Sequence, residues 1–201
     1  MENSKKFFTT KNIVYLAVLS ALLVVLNLLS SVFKIITSVN LTLVPIVIGA
    51  LLLGLKGGAI LGFISGLMTF IIGVTGADAF THILFIDHPV LTFLTCTVKT
   101  TCAGALAGFV YSLFENKKKY LGTFVSSALA PIINTGLFIL GALLMSDTLK
   151  ANFVADGQTV MYFLIIVCAG VNFLIELAVN MVLAPAVFKV VDVINNRISR
   201  G

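Results

Sequence analysis

Residues 41–73 read LTLVPIVIGALLLGLKGGAILGFISGLMTFIIG, with Lys56 as the one charged side chain and the glycine-rich run Gly54-Leu-Lys-Gly-Gly58 near the middle. Apolar runs of this density on both sides of so tight a turn predict a hairpin of two membrane helices, 41–55 and 57–73. The first limb is short and has Pro45 near its start, so it is expected to be tilted or irregular there.

The same composition extends outward over the whole chain. Of 201 residues, 59% are hydrophobic and 10% charged, and the mean hydropathy is +1.13. Ordinary soluble domains hold about 45–50% apolar and about 25% charged residues, so a water-soluble fold is excluded. Polar punctuation divides the rest into apolar runs at 12–32, 89–114, 120–145 and 159–191. With the hairpin these make six spans of roughly 20 residues, the length a bilayer core requires. We therefore expect an all-α integral membrane protein, a single membrane domain over 1–201 with six transmembrane helices and no room for a soluble catalytic domain. The apolar run 13–29 is longer than a signal-peptide core and lacks a convincing A-x-A site, so it reads as a retained first span. No clear internal repeat is present, which weakens a transporter reading based on inverted repeats.

Six spans place both termini on one side. Ten of the 13 basic residues fall there: Lys5, Lys6, Lys11, Lys56, the cluster Lys117 to Lys119, Lys189, Arg197 and Arg200. Only Lys34 and Lys150 fall on the other side. Basic loops stay in the cytoplasm, so both termini are expected to be cytoplasmic, with the segments 30–40, 75–88 and 146–158 outside. The last two mix Gly, Asp, His and Thr, chemistry that suits a lid over a ligand.

Polar side chains inside apolar helices are the strongest functional signal, because an ionised group at mid-membrane costs about 2.5–3.5 kcal/mol even on lenient scales. Lys99 lies about ten residues into the fourth span, roughly 15 Å deep, amid Thr95, Thr97, Thr100 and Thr101. Asn134 is similarly deep in the fifth, and Asn172, Glu176 and Asn180 share one face of the sixth at four-residue spacing. Lys99, Asn134, Asn172 and Glu176 are thus candidates for one polar cavity. The packing alternative is a buried Lys99–Glu176 ion pair with the asparagines as interhelical hydrogen bonds. His82 sits with Asp78, Asp87 and His88 on a segment that reads foremost as a solvated loop, and it reaches substrate only if that segment folds over the cavity. We expect no metal there.

Ala17 and Ala21 form a small-x-x-x-small step that permits close helix approach, and Gly58, Gly62 and Gly66 form a similar stripe read as internal packing. Cys96, Cys102 and Cys168 lie in apolar stretches and suggest neither disulfides nor zinc. The chain has no G-x-x-x-x-G-K-[ST], H-E-x-x-H or G-x-S-x-G, so ATP hydrolysis and the simplest protease and hydrolase chemistries are not expected of it. We expect no cofactor and no nucleic-acid partner, and take the chain not to be an enzyme.

The alanine step, the hairpin text Leu43-Val-Pro-Ile-Val-Ile-Gly-Ala through Leu53-Gly-Leu-Lys-Gly-Gly-Ala-Ile-Leu-Gly, and the run Lys99-Thr-Thr-Cys-Ala-Gly-Ala-Leu-Ala-Gly, in that order, resemble the substrate-binding S component of an energy-coupling factor (ECF) transporter. The resemblance covers nearly the whole chain. It implies a cell-membrane subunit that captures a water-soluble vitamin or related micronutrient and works with a transmembrane coupling protein and two cytoplasmic ATPases. It further implies ligand contacts from helices four to six and the external loops, which map onto Lys99, Asn134, Asn172, Glu176 and His82. Contact with the coupling protein maps onto Ala17 and Ala21.

The absence of Trp argues against a thiamine site and the missing Lys-x-Asp pattern against riboflavin. Lys99 with threonines suits a small carboxylate, since charge-assisted hydrogen bonds are the strong ones. Pantothenate is the first candidate, with folate, niacin, lipoate and a pyridoxine-like vitamer as competitors, and Glu176 offers a route to a cationic or amide-rich ligand instead. The competing functions are an autonomous ion-coupled transporter and a membrane scaffold.

Overall fold

The computed structural model describes residues 7–32, 41–114 and 118–198; for 28–32 and 197–198 it describes the backbone alone. Every regular element among them is helical: α1 (Thr10–Val32), α2 (Leu43–Val74), α3 (Ala79–Asp87), α4 (Pro89–Phe114), α5 (Lys119–Leu143), α6 (Ser146–Asn152), α7 (Val160–Tyr162), a π-helical stretch (Phe163–Gly170) and α8 (Val171–Ile198). The last three follow one another without leaving helical backbone geometry. Five helices are long and apolar enough to cross a membrane: α1, α2, α4, α5 and the run from α7 through α8.

The turn read from the glycines lies inside α2. Gly54 has φ 68° and ψ −162°, a region open to glycine and strained for other residues. There the chain doubles back. The Ser65 hydroxyl donates to the Thr42 hydroxyl at 3.2 Å, whereas a straight helix would separate the two by about 34 Å. Pro45 does not disturb the first limb, because the first turn of a helix has no intrahelical acceptor waiting for its N–H.

The longer limb of α2 packs on α4 with almost nothing between the backbones. A Cβ on Gly58 would collide with the Gly104 carbonyl, on Gly62 with the Thr100 carbonyl and on Gly66 with the Cys96 carbonyl. One series climbs by four as the other descends by four, so the helices are antiparallel and in register. The stripe expected to serve internal packing does so.

Three clusters fill the interior. Leu19 and Leu23 of α1 meet Leu43, Ile46 and Leu61 of α2. At one end of the bundle Val47 and Ala50 join Ala107, Tyr111, Ala130, Val187 and Val191. Another cluster gathers Leu84, Met145, Leu149, Phe163 and Leu164 around α3 and α6. Large apolar side chains left exposed, such as Val18, Ile166 and Val182, suit contact with hydrocarbon, where the helices already satisfy their own backbone hydrogen bonds.

Two segments expected to be loops contain short helices. α3 starts because the Asp78 carboxylate accepts from Thr81 N–H at 3.3 Å, an N-cap. α6 occupies Ser146–Asn152, directly after α5 ends at Leu143. The last helix runs to Ile198 and not to 191, its final polar turn held by Asn196 donating to Asp192 at 3.1 Å. Of the expected outer segment 30–40, residues 33–40 and Lys34 lie outside the described part.

Candidate functional site

Lys99 is half-buried on α4, with its ammonium 5.2 Å from the centre of the Phe138 ring on α5. Helix pairing explains the meeting. Thr95 lies against Gly141, where a Cβ would strike its side chain. In an antiparallel pair, one turn along α4 from Thr95 and one turn back along α5 from Gly141 bring Lys99 level with Phe138.

These residues wall a cavity of about 30 Å³. α4 contributes Thr92, Thr95, Cys96 and Lys99, while α3 contributes Phe80, Thr81 and Leu84. Thr69, Phe138 and Met145 complete the lining. The space has room for about one or two water molecules and falls well short of the roughly 300 Å³ at the lower end of small-molecule sites. A ligand therefore enters only as the walls part. One wall is aromatic: Phe80 lies 6.0 Å from Phe138 and 5.0 Å from Phe153, which stacks on Phe163 at 6.1 Å.

The threonines around Lys99 divide into two groups. Thr97, Thr100 and Thr101 donate to carbonyls of their own helix, those of Phe93, Cys96 and Thr97, at 2.7, 3.1 and 2.6 Å. Thr92 and Thr95 instead share the Lys99 face, three and four residues apart, and line the cavity. Among the described residues the Thr92 hydroxyl donates only to the Met145 sulfur, at 3.5 Å, a weak acceptor.

Of the five side chains expected at the ligand, Lys99 alone lines this cavity. Asn134 is buried one turn from Phe138, and its Oδ1 has no hydrogen-bond partner among the described residues. Asn172 donates to the Cys168 carbonyl at 3.1 Å. Glu176 is buried, its backbone carbonyl accepting from Asn180 at 2.8 Å. His82 turns Nδ1 to the Gly73 carbonyl at 2.9 Å and so fastens α3 to the end of α2. Among the described residues no carboxylate forms an ion pair with Lys99, so the Lys99–Glu176 pair is not made. The described residues contain no group of three or more His, Cys, Asp or Glu placed to hold a metal ion, and the three cysteines are free thiols.

Thr92, Phe80 and Phe138 were not singled out in the sequence. Thr92 was within reach, since 92, 95 and 99 fall on one helical face. The phenylalanines were not, because their place depends on which helices pair and in what register. On α1, Ala17 and Ala21 are exposed while Leu19 and Leu23 point inward, so the alanine step does not serve packing within the described chain.

A multi-pass helical membrane protein with a small, largely apolar cavity that Lys99 and four threonines enter, and no G-x-x-x-x-G-K-[ST] run, has the build of a subunit that binds a solute. The chain belongs to a family of such subunits: residues 11–188 match the family model for the ECF transporter, substrate-specific component. Comparison with curated proteins and with solved structures found no match. The membership makes this a cell-membrane transport protein, the substrate-specific component of an ECF transporter.

Proposed function

We propose that this chain captures a water-soluble vitamin bearing a carboxylate, with pantothenate the first candidate, and delivers it through an importer driven by two ATPases on a transmembrane coupling protein. The observation that carries the reading is the half-buried Lys99 ammonium, which faces a cavity and a phenyl ring and has no paired carboxylate among the described residues. A ligand carboxylate supplies that partner in a partly buried site, where charge-assisted hydrogen bonds are the strong ones. Thr92 and Thr95 supply further hydrogen bonds. Asn134, with its unpartnered Oδ1, lies next along α5 for a ligand amide or hydroxyl. Asn172, Glu176 and His82 join only if the helices shift from their present contacts.

In this reading the two limbs of α2 count as separate spans, giving six, and both termini are cytoplasmic by the distribution of Lys and Arg. The cavity end, with α3 and α6, then faces outside, and the exposed Ala17 and Ala21 meet the coupling protein. The chain itself hydrolyses no ATP. Proteoliposome uptake tests this. Import of labelled pantothenate should require the coupling protein and both ATPases with ATP, and uptake by the chain alone would overturn the proposal.

A further inference from the structure

We infer that the cavity selects its ligand by charge, as an organic monoanion, and that binding exchanges the Phe138 ring for the ligand's negative group at Lys99, Thr95 and Thr92. The inference rests on the reading of this cavity as the substrate site and says what that site accepts and refuses.

The argument is a count of charges and donors. Among the described residues Lys99 is the one charged side chain in the lining; the others are hydroxyls, a thiol and apolar groups. Asp78 is not in the lining, but its carboxylate accepts from the N–H and hydroxyl of Thr81, which is, so a negative charge stands just behind the α3 wall while the positive charge is on the α4 wall. The ammonium therefore faces the negative face of a phenyl ring, which attracts a cation but is weaker than an anion in a desolvated site.

The hydroxyls are sorted by direction. Thr69 donates to the Ser65 carbonyl at 3.1 Å and Thr81 to Asp78, so both offer the cavity only lone pairs. Thr92, held by a thioether, and Thr95, seated against Gly141, are the two that can turn a proton inward, and both stand on the Lys99 face of α4. One wall thus donates and carries a single positive charge. A monoanion neutralises it. A dianion brings a second charge that no described lining residue compensates, and a cation meets Lys99 directly; in a narrow, partly buried site both raise the cost of binding.

Cys96 gives a test that needs no knowledge of the ligand, because its buried thiol lines the same cavity three residues before Lys99. In the full chain carrying Cys102→Ser and Cys168→Ser, the rate of mixed-disulfide formation at Cys96 is measured with methanethiosulfonates of charge −1 (sulfonatoethyl) and +1 (trimethylammonioethyl), each divided by its rate with a free thiol in solution. The anionic reagent should be favoured at least about tenfold, and equal rates would overturn the inference. Lys99→Gln should bring the ratio to near unity. Phe138→Leu removes the ring to be displaced and should raise the anionic rate a few-fold without raising the cationic one; a fall in the anionic rate would contradict the exchange.

Protection of Cys96 is then measured with pantothenate, nicotinate and lipoate as monoanions, folate as a dianion and thiamine as a cation. Protection by a monoanion supports the inference, and protection by folate or thiamine overturns it. Anion preference with no protection from any of the five leaves charge selection standing and removes the vitamin reading. Protection by a monoanion with equal reagent rates does the reverse.

Discussion

The ammonium of Lys99 is held by a phenyl ring where a carboxylate would hold it more strongly, and this arrangement gives the side chain its proposed role. Replacing Lys99 by Met keeps the length and removes the charge. Charge-assisted hydrogen bonds contribute about 1.5–3 kcal/mol, so the variant should bind substrate about 10- to 100-fold more weakly while remaining folded, which equilibrium binding in detergent checks against its melting curve. Thr95→Val removes a neutral hydrogen bond of about 0.5–1.5 kcal/mol and should weaken binding by several-fold. At this scale the sequence revealed the charge but not its surroundings. A lysine among apolar residues stands out in any reading, and so do the threonines beside it in the text. Proximity in the text misleads on a helix, however. Thr97, Thr100 and Thr101 hydrogen-bond their own backbone, whereas Thr92, seven residues from Lys99, shares its face. Asn134, Asn172 and Glu176 stood out for the same reason as Lys99, but which of them line a cavity depends on helix pairing. The structure pairs α4 with α5 at the level of Lys99 and Phe138.

Among the elements, the hairpin in α2 was the most legible, because glycines mark both its turn and its contact face. Gly54 supplies the positive φ and Gly58, Gly62 and Gly66 let α4 approach. Gly62→Val should therefore do more than fill space. Its side chain meets the Thr100 backbone, which cannot move aside as a side chain would, so we expect a loss of at least about 1–3 kcal/mol, seen as a lowered Tm or failure to purify as a monodisperse species. Gly136, with nothing within 4 Å of an added Cβ, is the control: Gly136→Ala should leave Tm unchanged or raise it. The short helices α3 and α6 were missed because both lie within segments rich in loop-forming residues. Asp78 three residues before Thr81 is an N-cap pattern that could have revealed α3. Asp78→Ala removes that cap, which is worth about 0.5–2 kcal/mol, and should speed hydrogen exchange at the amides of residues 79–82 relative to those of α4.

For the whole molecule, membrane residence follows from composition, and family membership follows from the match over residues 11–188. What the chain does with its outer surface is less visible in its text, since a small-x-x-x-small step reads equally as internal packing or as a docking face. The structure turns Ala17 and Ala21 outward and packs Leu19 and Leu23 inward. Ala17→Leu with Ala21→Leu should thus leave substrate binding and Tm within error while abolishing co-purification with the coupling protein. Internal packing predicts the opposite pair of results. The central claim, that this chain captures a small anionic nutrient at Lys99, is tested most directly by the molecule it retains. The protein purified from a vitamin-rich host should release one carboxylate-bearing vitamin at about one per chain when extracted and identified by mass spectrometry, and folded Lys99→Met protein should release none. An empty wild-type protein that also shows no thermal shift with a vitamin panel would contradict the account, as would a ligand retained equally by the variant.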